Sequence, residues 1–77
     1  MKDTELKNKA VDWLVKKNNE YQTRPCRFTP KEIADEINGA THTALGRVAS
    51  EVEKELEARG IKACYQRLGN KRYFELL

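Results

Sequence analysis

Long apolar runs are missing from this 77-residue sequence, in which no more than three apolar residues follow one another. A membrane-spanning helix needs about 20 and the core of a signal peptide about 7–15, so we expect neither. Cysteine is scarce as well: Cys26 and Cys64 are the only two, too few for a disulfide framework. Cys64 alternates with apolar neighbours and should face away from the core, so we expect no disulfide bond. These absences predict a reduced, cytoplasmic protein that does not contact membranes.

Clusters of catalytic or metal-binding residues are also lacking. His42 is the only histidine, and no nucleophile–base pair, phosphate-binding loop or carboxylate cluster accompanies it. The two cysteines and His42 stand at spacings unrelated to a zinc signature. We therefore expect a protein that is not an enzyme and that needs no cofactor or metal.

The net charge of +3 is unevenly distributed along the chain. Residues 1–31 carry eight basic and four acidic residues, residues 32–58 two and seven, and residues 59–77 five and one. Both ends are therefore basic and the middle is acidic, so an anionic partner would meet only part of the surface. The length suits a single domain, residues 1–77, which buries only about 60–65% of its unfolded surface.

Apolar residues recur at helical spacing in two segments. The first predicts a helix from about Thr4 to Asn18, with Trp13 on its apolar stripe and therefore in the core. The second predicts a helix from His42 to about Arg59. Its buried side carries five apolar residues: Leu45, Val48, Ala49, Val52 and Leu56.

Capping residues delimit a short helix between these two, Pro30–Ile37. Thr29 can act as its N-cap, and Glu32 stands three residues later to complete a capping box. Asn38-Gly39 supplies the left-handed conformation that ends a helix, and Thr41 offers the next N-cap. The short helix is thus followed almost at once by the third helix.

After Gly60 the apolar period changes from 3.6 to 2, which predicts a hairpin. Gly69-Asn70 suits its two-residue loop, where positive φ is required. That loop sets four cross-strand pairs: Leu68 with Lys71, Arg67 with Arg72, Tyr65 with Phe74, and Ala63 with Leu76. The hairpin then has an apolar base and a basic tip. Another short strand is expected at residues 26–28.

This order of elements resembles a winged helix-turn-helix domain, an α+β fold. The likeness covers nearly the whole chain and is carried by Ile33-Ala34, Gly39-Ala40-Thr41, Leu45, Arg47 and Leu56 through Gly60. Asn38-Gly39 makes the turn one residue longer than the commonest spacing. The resemblance implies a small protein that binds double-stranded DNA, such as a transcriptional regulator. It places helix 3 in the major groove and the hairpin, or wing, on the phosphate backbone.

The outward face of helix 3 supplies the first candidate contacts. Four residues opposite its buried side include no acid: Thr43, Arg47, Ser50 and Lys54. A helix that enters the major groove should keep carboxylates off that face, and Arg can bind guanine through two hydrogen bonds. Thr41 and His42, at the start of the helix, can reach a phosphate or a base. The alternative is an ordinary solvated helix face.

The wing supplies the second set of candidate contacts. Four residues cluster around its loop: Arg67, Asn70, Lys71 and Arg72. A basic wing suits the phosphate backbone or the minor groove, and Lys31, at the start of helix 2, can add a phosphate contact there. The alternative is a solubilising edge, since exposed cations also discourage pairing between strands of different molecules.

Other functions and contacts stay open at this stage. The basic patches would also suit a winged-helix protein-interaction module that meets an acidic partner in a larger complex. RNA binding is a further alternative, but the sequence has no cluster of aromatic residues on which bases could stack. A homodimer could form through helix 1 or the C-terminal strand, using Val11, Val15 or Leu77.

Two further residues call for an explanation. Gly46 costs about 1 kcal/mol inside a helix relative to Ala, which indicates a close approach either to helix 2 or to a DNA backbone. Tyr73 falls on the outer face of the hairpin beside Gln66, where it could form part of a contact surface.

Overall fold

Three helices and one three-stranded antiparallel sheet make up the chain in a computed structural model that describes residues 2–77. The arrangement is α+β. In chain order the elements are α1 (Asp3–Glu20), β1 (Cys26–Phe28), α2 (Pro30–Glu36), α3 (His42–Ala58), β2 (Ala63–Leu68) and β3 (Lys71–Leu76). The bounds predicted for the three helices differ from these by at most two residues. None of the helices within residues 2–77 is long and apolar enough to cross a membrane.

The capping residues fix where α2 and α3 begin. The Glu32 backbone N–H donates to Thr29 Oγ1 at 3.2 Å, and the Thr29 N–H donates to Glu32 Oε2 at 2.8 Å. This reciprocal pair is the predicted capping box. Thr41 Oγ1 accepts from the Ala44 N–H at 3.1 Å, which confirms the predicted N-cap of α3.

A Schellman motif ends α3. Gly60 adopts φ +80°, a left-handed conformation that glycine takes without a steric cost. The Ile61 N–H then donates to the Leu56 carbonyl at 2.9 Å, and the Gly60 N–H donates to the Glu57 carbonyl at 2.9 Å. The chain turns there from the helix into β2.

The sheet has the order β1-β3-β2, so β3 lies in the middle. The predicted hairpin register is confirmed at all four pairs: Ala63 with Leu76, Tyr65 with Phe74, Arg67 with Arg72, and Leu68 with Lys71. The pairing of β1 with β3 was not predicted; it sets Cys26 opposite Leu76 and Phe28 opposite Phe74. Both thiols are free, and they lie opposite successive residues of β3, on opposite faces of the sheet.

One hydrophobic core joins the helices to the inner face of the sheet. Val11 is completely buried in it, so the expectation that Val11 lies available for a dimer contact is wrong. Trp13 packs at the edge of the core rather than inside it, with its ring 5.1 Å from that of Phe28 in an edge-to-face arrangement. Nearly every large aliphatic side chain is thus used, as a small domain requires.

The outer face of the sheet is covered by its own side chains. Tyr73 is only 9% exposed, its hydroxyl donates to Gln66 Oε1 at 3.2 Å, and the Arg27 guanidinium lies 5.0 Å from its ring centre. Arg27 also donates to the buried Glu75 carboxylate at 2.7 Å. The expectation that Tyr73 forms a contact surface is therefore wrong.

Candidate nucleic-acid interface

A cleft of about 870 Å³ opens between the start of α3 and the tip of the β2–β3 hairpin. The hairpin lines one side and the first turns of α2 and α3 line the other. Its lining residues are Thr29, Pro30, Lys31, His42, Thr43, Gly46, Arg47, Tyr65, Asn70, Lys71 and Arg72. The capping threonines and the hairpin register described above therefore also position this cleft.

Seven of the eleven residues predicted to contact DNA meet in the cleft: Lys31, His42, Thr43, Arg47, Asn70, Lys71 and Arg72. The other four are exposed but lie outside it. Thr41 is occupied as the N-cap of α3, and Arg67 Nε donates to the Gly69 carbonyl at 3.2 Å at the hairpin tip. Ser50 and Lys54 lie further along α3. The structure thus brings together residues from α2, α3 and the hairpin.

The charge of the cleft is positive. Lys31, Arg47, Lys71 and Arg72 are cations at neutral pH, and the lining contains no carboxylate from the described part of the chain. Across residues 2–77, no carboxylate oxygen lies within 4.0 Å of the charged nitrogens of Lys31, Lys71 or Arg72. Clustered charge of one sign raises the local concentration of oppositely charged partners.

Arg47 differs from the other three cations because it has a carboxylate partner. Its Nη2 lies 3.0 Å from Asp3 Oδ1 and its Nε lies 3.3 Å from Asp3 Oδ2, a two-pronged contact from the first turn of α1. The hydrogen bond from Arg47 lowers the pKa of Asp3 below its ordinary value. The outward face of α3 has no acid of its own, but α1 brings one to it. Both side chains are more than half exposed, so the pair stabilises the fold little.

One acid of α3, Glu55, is paired with two cations outside the cleft. Glu55 lies 3.5 Å from Lys7 Nζ of α1 and 3.3 Å from Arg59 Nε. These partners, Arg59 first, lower the pKa of Glu55. Arg59 also lies 3.6 Å from Asp12. Glu55 therefore pairs with α1 and with the C-cap residue of its own helix, and it does not line the cleft.

Gly46 lies on the side of α3 that faces the hairpin. A Cβ atom at this position would lie 3.4 Å from Tyr65 Oη and 3.8 Å from Arg72 Nη1. This close neighbour is the hairpin, which neither predicted alternative named. The alternative of helix 2 is wrong, and that of a DNA backbone stays a prediction. Tyr65 was assigned only to the apolar face of the hairpin; no local signal in the sequence indicates that its hydroxyl reaches α3.

Comparisons of the chain with protein-family models, with curated proteins and with solved structures return no match. Within residues 2–77, no three His, Cys, Asp or Glu side chains come together as metal ligands.

Proposed function

We propose that the chain is a winged helix-turn-helix domain that binds double-stranded DNA as a transcriptional regulator. The start of α3 enters the major groove, and the tip of the β2–β3 hairpin follows the phosphate backbone. The observation that carries this proposal is the cleft, where four cations from three elements converge without a carboxylate in the lining. A solvated surface that only keeps a protein soluble mixes both signs of charge.

The side chains of the cleft divide into two kinds of contact. Thr43 and Arg47 lie on the exposed side of α3 and carry the donors that read base edges. Lys31, Lys71 and Arg72 border them as point charges or guanidinium groups suited to phosphate oxygens. A groove reader needs both kinds, because phosphate contacts set the register while base contacts specify the sequence.

A titration with duplex DNA of mixed sequence at 50 and 200 mM salt tests the proposal. Contact with about four phosphates gives a slope of log affinity against log salt near −3.6, or roughly a hundredfold weaker binding at the higher salt. An RNA duplex of the same sequence is the comparison. We expect it to bind more weakly, because its major groove is too deep and narrow for side chains to read. Failure to bind the DNA duplex at low salt would contradict the proposal.

A second candidate function is binding to an acidic protein surface. The Asp3–Arg47 contact favours it, since Arg47 is seen holding a carboxylate, the group that such a partner would present. Under this alternative the DNA titration shows no binding at 50 mM salt, while an acidic protein partner binds in the same salt-dependent way.

A further inference from the structure

Tyr65 Oη is the one buried side-chain nitrogen or oxygen in the described residues that lacks a hydrogen-bond partner. The ring packs on Phe74 with 4.7 Å between centres, so it is held in place by the base of the hairpin. The hydroxyl points toward Gly46 at the wall of the cleft. A phenylalanine would pack in the same way without burying an unsatisfied polar group.

The other tyrosine of the hairpin, Tyr73, does have a hydrogen-bond partner for its hydroxyl. On the outer face, the Tyr73 hydroxyl donates to Gln66 at 3.2 Å. On the cleft face, residues 2–77 offer Tyr65 no acceptor. The Tyr65 hydroxyl is therefore better suited to a group that arrives from outside the chain.

We propose that Tyr65 and Arg72 form a subsite for one phosphate of the DNA backbone. This inference rests on the proposed function. The Tyr65 O–H donates to one phosphate oxygen, and the Arg72 guanidinium pairs with the charge. Both groups lie within 4 Å of the same point above Gly46, where the missing Cβ leaves room. An anionic oxygen is the acceptor that a lone hydroxyl donor beside a guanidinium requires.

Access to the subsite depends on Arg72. The hydroxyl is covered in the free protein, whereas Arg72 is exposed and carries a long side chain. We expect Arg72 to shift when it pairs with a phosphate, so that the Tyr65 hydroxyl becomes accessible and donates to the same phosphate. Binding thus satisfies a polar group that the free protein leaves unsatisfied.

Tyr65→Phe tests the subsite, with Tyr73→Phe as the matched control. We expect Tyr65→Phe to weaken binding to mixed-sequence duplex DNA by about five- to tenfold. The salt slope should stay unchanged, because a neutral hydroxyl releases no counterion. Its melting temperature should rise by about 4 °C, since the unsatisfied group is gone. Tyr73→Phe should bind as the wild type does and melt slightly lower.

Three other outcomes would overturn the inference. If Tyr65→Phe binds duplex as tightly as the wild type, the hydroxyl contacts no phosphate. Equal losses in both variants would mean that the packing of the hairpin, rather than a phosphate contact, is responsible. A wild-type protein that does not bind duplex at all would overturn the proposed function and this inference with it.

Gly46→Ala probes the same space from the helix side. Its new Cβ would stand 3.4 Å from the Tyr65 hydroxyl, an ordinary contact that the fold accommodates. We expect a more stable helix and weaker duplex binding. Undiminished binding by this variant would mean that no phosphate enters the space above Gly46.

Discussion

Arg47 has an internal partner in Asp3 and, under the proposed function, an external partner in DNA. Its guanidinium holds Asp3 through two nitrogens, the same arrangement with which arginine binds the O6 and N7 atoms of guanine. Because both side chains are exposed, displacing Asp3 costs little. A partner that offers only one acceptor replaces only one of the two hydrogen bonds that Arg47 makes to Asp3. We therefore expect the Asp3 contact to favour partners that can use both nitrogens.

Removing Arg47 should weaken DNA binding, whereas removing the Asp3 carboxylate should strengthen it. Arg47→Ala should weaken binding to a preferred site by about tenfold or more, and binding to random duplex much less. Asp3→Asn should tighten binding, because the competing carboxylate is gone. Fluorescence anisotropy titrations on both DNAs provide the measurement.

Asp12→Asn is the matched control for Asp3→Asn. It removes the same charge from α1, where Asp12 lies 3.6 Å from Arg59 and outside the cleft. An equal gain in the two variants would indicate a general charge effect rather than competition at Arg47. Equal losses on both DNAs in Arg47→Ala would make it a phosphate contact.

Local patterns explain which residue roles could be predicted. Thr29, Glu32 and Thr41 act on residues three positions away, so the sequence alone reveals them. The contact between Asp3 and Arg47 joins residues 44 positions apart and depends on how α1 crosses α3. The contact of Gly46 with Tyr65 likewise depends on packing between elements, and sequence spacing carries no signal for either.

At the scale of the elements, the hairpin carries more positive charge at its tip than its own stability favours. Arg67 and Arg72 are direct cross-strand neighbours, and Lys71 follows the loop. Like charges in this position destabilise a strand pair slightly. The hydrogen bond from Arg67 to the Gly69 carbonyl uses one guanidinium nitrogen and leaves the charge in place. An external polyanion would relieve this repulsion.

Replacing Lys71 and Arg72 together by Ala should weaken binding to all duplex sequences to a similar degree. The slope of log affinity against log salt should fall by about one to two. Folded stability should hold or rise slightly, because the apolar base of the hairpin is unchanged. Titrations at several salt concentrations, with thermal unfolding alongside, provide the measurement.

A paired variant of α1 controls for the loss of net charge. Lys9→Ala with Lys16→Ala also removes two exposed cations, but both lie outside the cleft. An unchanged slope in the hairpin variant would make the wing a solubilising edge and would favour the protein-interaction alternative. An equal change in both variants would mean that only the total charge matters.

Of the two strand pairings in the sheet, the sequence predicts one and not the other. The hairpin register follows from a two-residue loop and an alternating apolar pattern, both of which are local. Strand β1 has only three residues, and it pairs with a strand almost 50 positions away, as Cys26 does with Leu76. Nothing within so short a segment identifies its partner, so the sequence does not predict its place beside β3.

At the scale of the whole molecule, the sheet restricts how two copies can associate. Residues 74–76 of β3 pair with both β1 and β2, so the C-terminal half of this strand has no free backbone edge for a second chain. At this end of the strand, the suggestion that a dimer forms through the C-terminal strand concerns Leu77, which is 55% exposed just beyond β3. Val15 packs partly against the core, and Val11 is buried.

We expect any dimer to use Leu77 together with the exposed face of α1. Sedimentation at rising protein concentration, with and without DNA carrying two half-sites about 34–36 Å apart, measures association. Leu77→Ser should weaken it without unfolding the protein, because this side chain is exposed. A wild-type protein that stays monomeric at high concentration in both conditions would exclude the dimer.

The register of β1 makes the hairpin stiff at one end and compliant at the other. Residues 74–76 of β3 hydrogen-bond strands on both sides, whereas residues 71–73 have only β2 beside them. Amide hydrogen exchange should accordingly be slow at Phe74 and Leu76 and faster around Arg67 and Arg72. The base of the hairpin is thus fixed to the core, while its tip is held by β2–β3 pairing alone. Under the proposed DNA-binding mode, we expect the tip to adjust to phosphate backbones of differing local shape while α3 stays in the major groove.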